Sequence, residues 1–219
     1  MSDDEMIALY LDLILEANKT VNLTRIGSLD QARILHVQDS LSALPEINAA
    51  PQGLYGDLGT GGGFPGVPVS IKTGREAVLV DSVKKKAAVI EEALSKLSLS
   101  GQIKTYPGRI EDLALEKRSA FAVLTARALS QLPSLLELSS PLLVKGGRLV
   151  CYKARLSEDE LNHAESLEKI LGMKLVSRRS LTLSDGETYR EIVSFEKVAK
   201  AKIKLPRRIS MAQKKPLTV

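Results

Sequence analysis

Apolar residues recur at helical spacing from near the start of the chain. Within residues 5–18, EMIALYLDLILEAN, Met6, Leu9, Tyr10, Leu13, Ile14 and Ala17 share one stripe, which predicts an amphipathic helix. A second helical stretch, SLDQARILHVQDSLSALPEI, is expected to start from Ser28 as N-cap and to stop near Pro45. From Leu54 the pattern changes to short apolar runs alternating with helical segments. LYGDL, AVLVDS, QIKTYPG, FAVLTARA and GGRLVCYK read as strands. Helices are expected from Gly66 or Pro68, over VKKKAAVIEEALSKL (Ala87, Ile90, Ala93, Leu94 and Leu97 inward), around 132–139, and over SEDELNHAESLEKIL. KLVSRRSLTL and YREIVSFEKV follow with no helix between them and pair as an antiparallel hairpin. The fold class is therefore α/β: a mostly parallel seven-stranded sheet with helices on both faces, ending in a hairpin. Residues 1–50 form an N-terminal helical extension, 51–198 the sheet domain and 199–219 a C-terminal tail.

Charge adds a partner to this picture. The chain holds 31 Lys and Arg against 26 Asp and Glu, a net of +5. Eight of the cations lie in 197–219, which has no carboxylate side chain, so the remainder carries 23 against 26, a net of −3. An acidic body with a basic edge predicts a polyanionic partner, although a solvated tail has the same composition. The longest apolar runs are strand-length, so no bilayer span is expected. One cysteine, Cys151, allows no intrachain disulfide and suits a reducing, cytoplasmic compartment. With two histidines besides, no zinc set is expected. The expectation is a cytoplasmic, metal-free monomer.

The candidate chemistry sits in DLGTGGGFPGVP, residues 57–68, directly after the first strand. Ligands in such sheets bind beyond the C-terminal strand ends near the switch point. GGGFPG matches the dinucleotide pattern G-x-G-x-x-G through Gly61, Gly63 and Gly66, which keeps an NAD-dependent oxidoreductase open. No Gly-Lys-Ser/Thr follows, which excludes a Walker loop. Asp57 opposes a pyrophosphate here and favours a cofactor bearing ammonium and sulfonium groups, namely S-adenosylmethionine. Its alternative role is to cap the loop's own amides. Asp81 ends the next strand, where a carboxylate accepts from ribose hydroxyls.

The target atom is narrowed by what is missing. Cytosine C5 needs a cysteine nucleophile, and Cys151 lies mid-strand in RLVCYK. Exocyclic amines are commonly served by an Asn/Asp-Pro-Pro-Tyr/Phe turn, where this chain has TARAL. Guanine N7 has an in-plane lone pair and no proton, so in-line placement suffices and no catalytic base is required.

NLT at 22–24, HVQDS at 36–40, DLGTGGGFPGVP, LVDSVKKK, GRIED, ARA at 126–128 and a PRR…KKPL tail occur in one order along nearly the whole chain. Together they resemble the bacterial small-subunit rRNA guanine-N7 methyltransferase G family, also called glucose-inhibited division protein B. The resemblance implies a class I, Rossmann-like methyltransferase that moves a methyl from S-adenosylmethionine to N7 of one guanosine in a decoding-region loop of 16S rRNA. It implies cofactor contacts at Gly59, Phe64, Ile110, Glu111 and Arg127; Gly61, Gly63, Asp57 and Asp81 join them from the loop chemistry. Arg127, at the mouth of a parallel strand, suits a carboxylate or an RNA phosphate. His36 and Asp39, three apart on a helix, are candidate substrate-side residues, with a structural role the alternative. The tail cations Lys204, Arg207, Arg208, Lys214 and Lys215 are candidate RNA contacts, and a non-catalytic RNA-binding module stays open on their account. The tail reads LPRRISMAQKKPL, without the proline and glycine common in this family between the two basic clusters.

Overall fold

A computed structural model describes residues 1–24, 26 and 28–218. Seven strands form one sheet: β1 Leu54–Leu58, β2 Ala77–Val80, β3 Ile103–Tyr106, β4 Phe121–Arg127, β5 Leu143–Lys153, β6 Met173–Thr182 and β7 Tyr189–Lys197. Their order is β3-β2-β1-β4-β5-β7-β6. β1 to β5 pair in parallel, and β7 runs antiparallel to both β5 and β6, so the terminal hairpin is present. The order reverses between β1 and β4, which puts the glycine loop at the switch point.

Apolar runs bury both faces, as a parallel sheet requires. Side chains alternate, so Leu58, Val78, Val80, Leu124 and Leu149 face one core, while Tyr55, Ala77, Leu79, Val123 and Val150 face the other. The second core is closed by α1 Asp3–Asn18, α2 Leu29–Ala32, α3 Asp39–Leu41, α4 Leu44–Asn48, α5 Gly66–Thr73 and α6 Lys84–Lys96. The first lies under α7 Ile110–Glu116, α8 Leu132–Ser139, α9 Glu158–Ser166 and α10 Glu168–Leu171. Ser28 caps α2 by accepting from Gln31 N–H, and Ser157 caps α9 by accepting from Glu160 N–H. On α6, Ala87, Ile90, Ala93 and Leu94 face inward; complete burial of a side chain such as Ile90 contributes roughly 2 kcal/mol.

Three local expectations are corrected. Of the expected α1 stripe, Tyr10 and Ile14 are buried and Met6, Leu13 and Ala17 pack partly buried on the second core, but Leu9 is exposed and Ile7 and Leu11 are buried in addition. Helical spacing admits Leu9 or Leu11 at the margin of the buried face; contact with α5 and α6 selects Leu11. Between α2 and α3 the backbone widens into a π-helical segment, Arg33–Gln38, and helix ends at Leu41. Pro45 starts α4 instead of stopping a longer helix, because its missing N–H is no loss in a first turn. Finally, residues after β7 do not stand apart: Leu205 and Ala212 are buried in the first core, and α11, Met211–Lys214, packs on α8.

Candidate cofactor and substrate site

The glycine loop is held by its own side chains. Asp57 is fully buried, and its Oδ2 accepts from Thr60 Oγ1 at 2.6 Å and from Gly66 N–H at 3.0 Å. Its Oδ1 accepts from Thr125 Oγ1 at 2.7 Å. Burial raises its pKa, while these hydrogen bonds and the nearby Arg127 charge oppose the rise. The expected direct contact with a cofactor ammonium is thus corrected: Asp57 caps the loop and the start of α5. It also takes the Gly66 N–H that a pyrophosphate would use at a helix N-terminus.

Gly61 sits at φ +60 with open space where a Cβ would project. Gly63, at φ +86, lies where a Cβ would collide with the Tyr10 hydroxyl, and Tyr10 donates to Gly62 O at 2.9 Å. The N-terminal helix therefore braces the loop, and only glycine permits that approach.

Beyond the loop is a small, half-open cleft of about 150 Å³. Gly59, Val80, Asp81, Ile110, Glu111, Leu129 and Leu138 line it, as does Gln213 from the tail. Asp81 Oδ2 accepts from Gly61 N–H at 3.0 Å, and its Oδ1 accepts from Val83 N–H at 2.9 Å. Glu111 Oε1 accepts from Ser210 N–H at 2.7 Å, a contact with the tail that the sequence did not indicate.

Phe64 and Arg127 belong to a neighbouring cluster. Arg127 donates to Asp39 Oδ2 at 2.9 Å, to Leu35 O at 3.1 Å and to Phe64 O at 3.2 Å. Arg190 donates to Asp39 Oδ1 at 3.0 Å. Leu35 and His36 lie in the π-helical segment; the His36 ring stacks on Phe64 at 4.8 Å, and its Nε2 is 2.9 Å from Thr24 Oγ1. Burial, assisted by Arg127 and opposed by Asp39, lowers the His36 pKa to about 4. Asp39 and Arg127 are thus committed to each other, and His36 to the loop. Here the structural alternative stated for His36 and Asp39 describes the geometry.

A second hollow is lined by Arg127, Lys153, Arg155 and Arg190 with Ala126, Ala128, Ser130 and Tyr152. Arg155 is exposed, with no ion-pair partner among the described residues, whereas Lys153 pairs with Glu160 at 2.7 Å. Lys153, Arg155 and Arg190 went unnoticed in the sequence. YKAR, running out of the end of β5, is the signal for the first two, since strand ends point at this edge. The two hollows share a wall: Leu129 lines the cofactor cleft, and Ala128 and Ser130 on either side line the basic one. Ala128 is held there at φ +54.

The tail cations divide. Arg207 makes two bonds to the buried carboxylate of Glu137, at 2.7 and 2.6 Å, and donates to Lys215 O at 2.8 Å. Its assignment to RNA is corrected, because a buried partner requires it. Lys204, Arg208, Lys214 and Lys215 are exposed. Cys151 is buried, and burial pushes its thiol to about 12, so it offers no nucleophile. Among the described residues no group of His, Cys, Asp and Glu is arranged to hold a metal ion, and no helix is long and apolar enough to cross a membrane.

The fold by itself does not decide the chemistry. Geranyl diphosphate methyltransferase, solved with S-adenosylmethionine, superposes with a TM-score of 0.57 at 14% identity, covering 73% of this chain and 85% of that one. The [4+2]-cyclase SpnF superposes as well, with a TM-score of 0.58 at 12% identity, over 74% and 81%. Sequence is more specific: the family model for rRNA small subunit methyltransferase G matches residues 3–193. The chain belongs to that family. Its relatives include the ribosomal RNA small subunit methyltransferase G of Alkaliphilus oremlandii, 34% identical over 95% of this chain and 88% of the relative. That of Desulfitobacterium hafniense is 32% identical over 97% and 89%.

Members of the methyltransferase G family use S-adenosylmethionine, and the cleft lies beside the glycine loop at the switch point of the sheet. Backbone is bare at Gly61, the Asp81 carboxylate stands at the cleft edge, and Val80, Ile110, Leu129 and Leu138 supply apolar walls.

Proposed function

We propose that this protein methylates N7 of a guanosine in 16S rRNA, with the cofactor held by Gly59, Asp81, Ile110 and Glu111 and the target base entering from the basic hollow. The observation that carries this reading is the shared wall at Ala128–Ser130, which sets a cofactor cleft against a cationic hollow on the same edge of the sheet. RNA phosphates are recognised by such cations, with steep salt dependence.

S-adenosylmethionine supplies an electrophilic methyl group on a sulfonium. Guanine N7 presents a lone pair and loses no proton, so this chain's residues have to bind, orient and exclude water. That matches their state: His36 is buried with its pKa lowered to about 4, and Cys151 is protonated. Arg127 and Arg190 converge on Asp39 and keep the wall between loop and hollow in place. Arg155 remains free to meet phosphate, and Asp57, Gly63 and Phe64 fix the loop's shape.

Incubation with labelled S-adenosylmethionine and small subunits, or their naked RNA, from cells lacking the protein tests this reading. Label is expected in 16S rRNA from at least one of the two substrates. No label in either would refute it.

A further inference from the structure

The basic tail lies against the cofactor cleft, where charge alone would have assigned it to RNA. Four contacts dock it. Arg207 clamps buried Glu137 on α8, and Ser134 Oγ of the same helix donates to Ala212 O at 2.7 Å. Ala212 itself is buried, and Leu217 O lies 2.6 Å from His163 Nε2. The last contact of the set reaches the site: Ser210 N–H donates to Glu111, the residue that opens α7 at the cleft edge. Ser210 is held at φ +65, a conformation that costs a non-glycine residue energy and persists where surroundings impose it. The turn that follows, Met211–Lys214, brings Gln213 to the cleft wall.

We propose that residues 207–214 are the purine-side wall of the S-adenosylmethionine site and that Gln213 is its base-contacting residue. This rests on the cofactor reading of the cleft. A glutamine amide offers both a donor and an acceptor, which suits the edge of an adenine. Besides lining the cleft, Glu111 then acts as a positioning residue: its carboxylate fixes the tail, and through it Gln213. Glu137 does the same from α8.

The test uses the full chain and S-adenosylhomocysteine as probe. Gln213 is exposed, so Gln213→Ala is expected to fold with an unchanged thermal midpoint and to bind the probe about fivefold more weakly, the loss of one hydrogen bond. RNA affinity is expected to stay at the wild-type value. In the wild-type protein, the probe is expected to slow amide hydrogen exchange within 207–214. Wild-type probe affinity in Gln213→Ala, or unprotected 207–214 amides in the wild-type protein, overturns the proposal. Asp81→Ala separates the two levels of the argument. If that variant loses the probe while Gln213→Ala does not, the tail assignment falls and the cleft stands. If neither variant loses it, both fall.

Discussion

Asp57 Oδ2 accepts from Gly66 N–H at 3.0 Å, tying the end of β1 to the first turn of α5 across the glycine loop. The carboxylate predicted to attract a cofactor thus acts by shaping the backbone around it. Asp57→Ala would leave the Thr60, Thr125 and Gly66 donors without this acceptor in the interior. A loss of about 3 kcal/mol in stability is expected by urea unfolding, together with weaker binding of S-adenosylhomocysteine. Lost binding with an unchanged unfolding midpoint would mean that Asp57 meets the cofactor directly.

His36 makes stability depend on acid. Its folded pKa is about 4, against 6.5 unperturbed. Between those values the unfolded chain holds more protons than the native one, so stability falls as pH drops from 6.5 toward 4. The effect approaches about 3 kcal/mol at the low end. Comparing urea midpoints at pH 7 and pH 4.5 checks it: His36→Gln is expected to show a smaller drop than the wild type. Equal drops would contradict this.

Arg127 and Arg155 line the same hollow and should behave differently. Arg127→Ala leaves Asp39, almost wholly buried, with Arg190 as its remaining cation, and is expected to cost about 3 kcal/mol. Arg155→Ala touches no ion pair among the described residues and should stay within about 0.5 kcal/mol of wild type. Its effect is expected in RNA binding, where the slope of log affinity against log salt should shrink by about 1. An unchanged slope would remove Arg155 from the interface.

Arg207 tests the correction to the tail. Arg207→Ala strands Glu137 and is expected to destabilise the fold by about 3 kcal/mol while leaving the salt slope of RNA binding unchanged. A reduced slope in a variant of wild-type stability would restore Arg207 to the RNA interface.

Much of this was legible because strands and loops are local signals. LYGDL, AVLV and FAVLTAR appear as strands, and Gly61 and Gly63 do adopt conformations that glycine alone tolerates readily. What stayed hidden depends on partners distant in sequence. Which stripe of α1 is buried depends on α5 and α6, and periodicity alone allowed Leu9 as readily as Leu11. The π-helical turn at Arg33–Gln38 leaves the local pattern helical and shows itself only through Leu35 O and His36 meeting β4 and the loop. Arg207 reads as one cation among eight until Glu137, buried in a helix seventy residues earlier, is seen to need it. Asp57 offered two roles that differ only in the direction its carboxylate points.

Guanine N7 is the atom proposed to carry the methyl. Nucleoside mass spectrometry of 16S rRNA, after reaction of the purified protein and S-adenosylmethionine with small subunits from cells lacking it, addresses that most directly. One added methyl is expected, recovered as 7-methylguanosine and mapped to one guanosine. A methyl found instead on an exocyclic amine, on a ribose or on a pyrimidine carbon would contradict it.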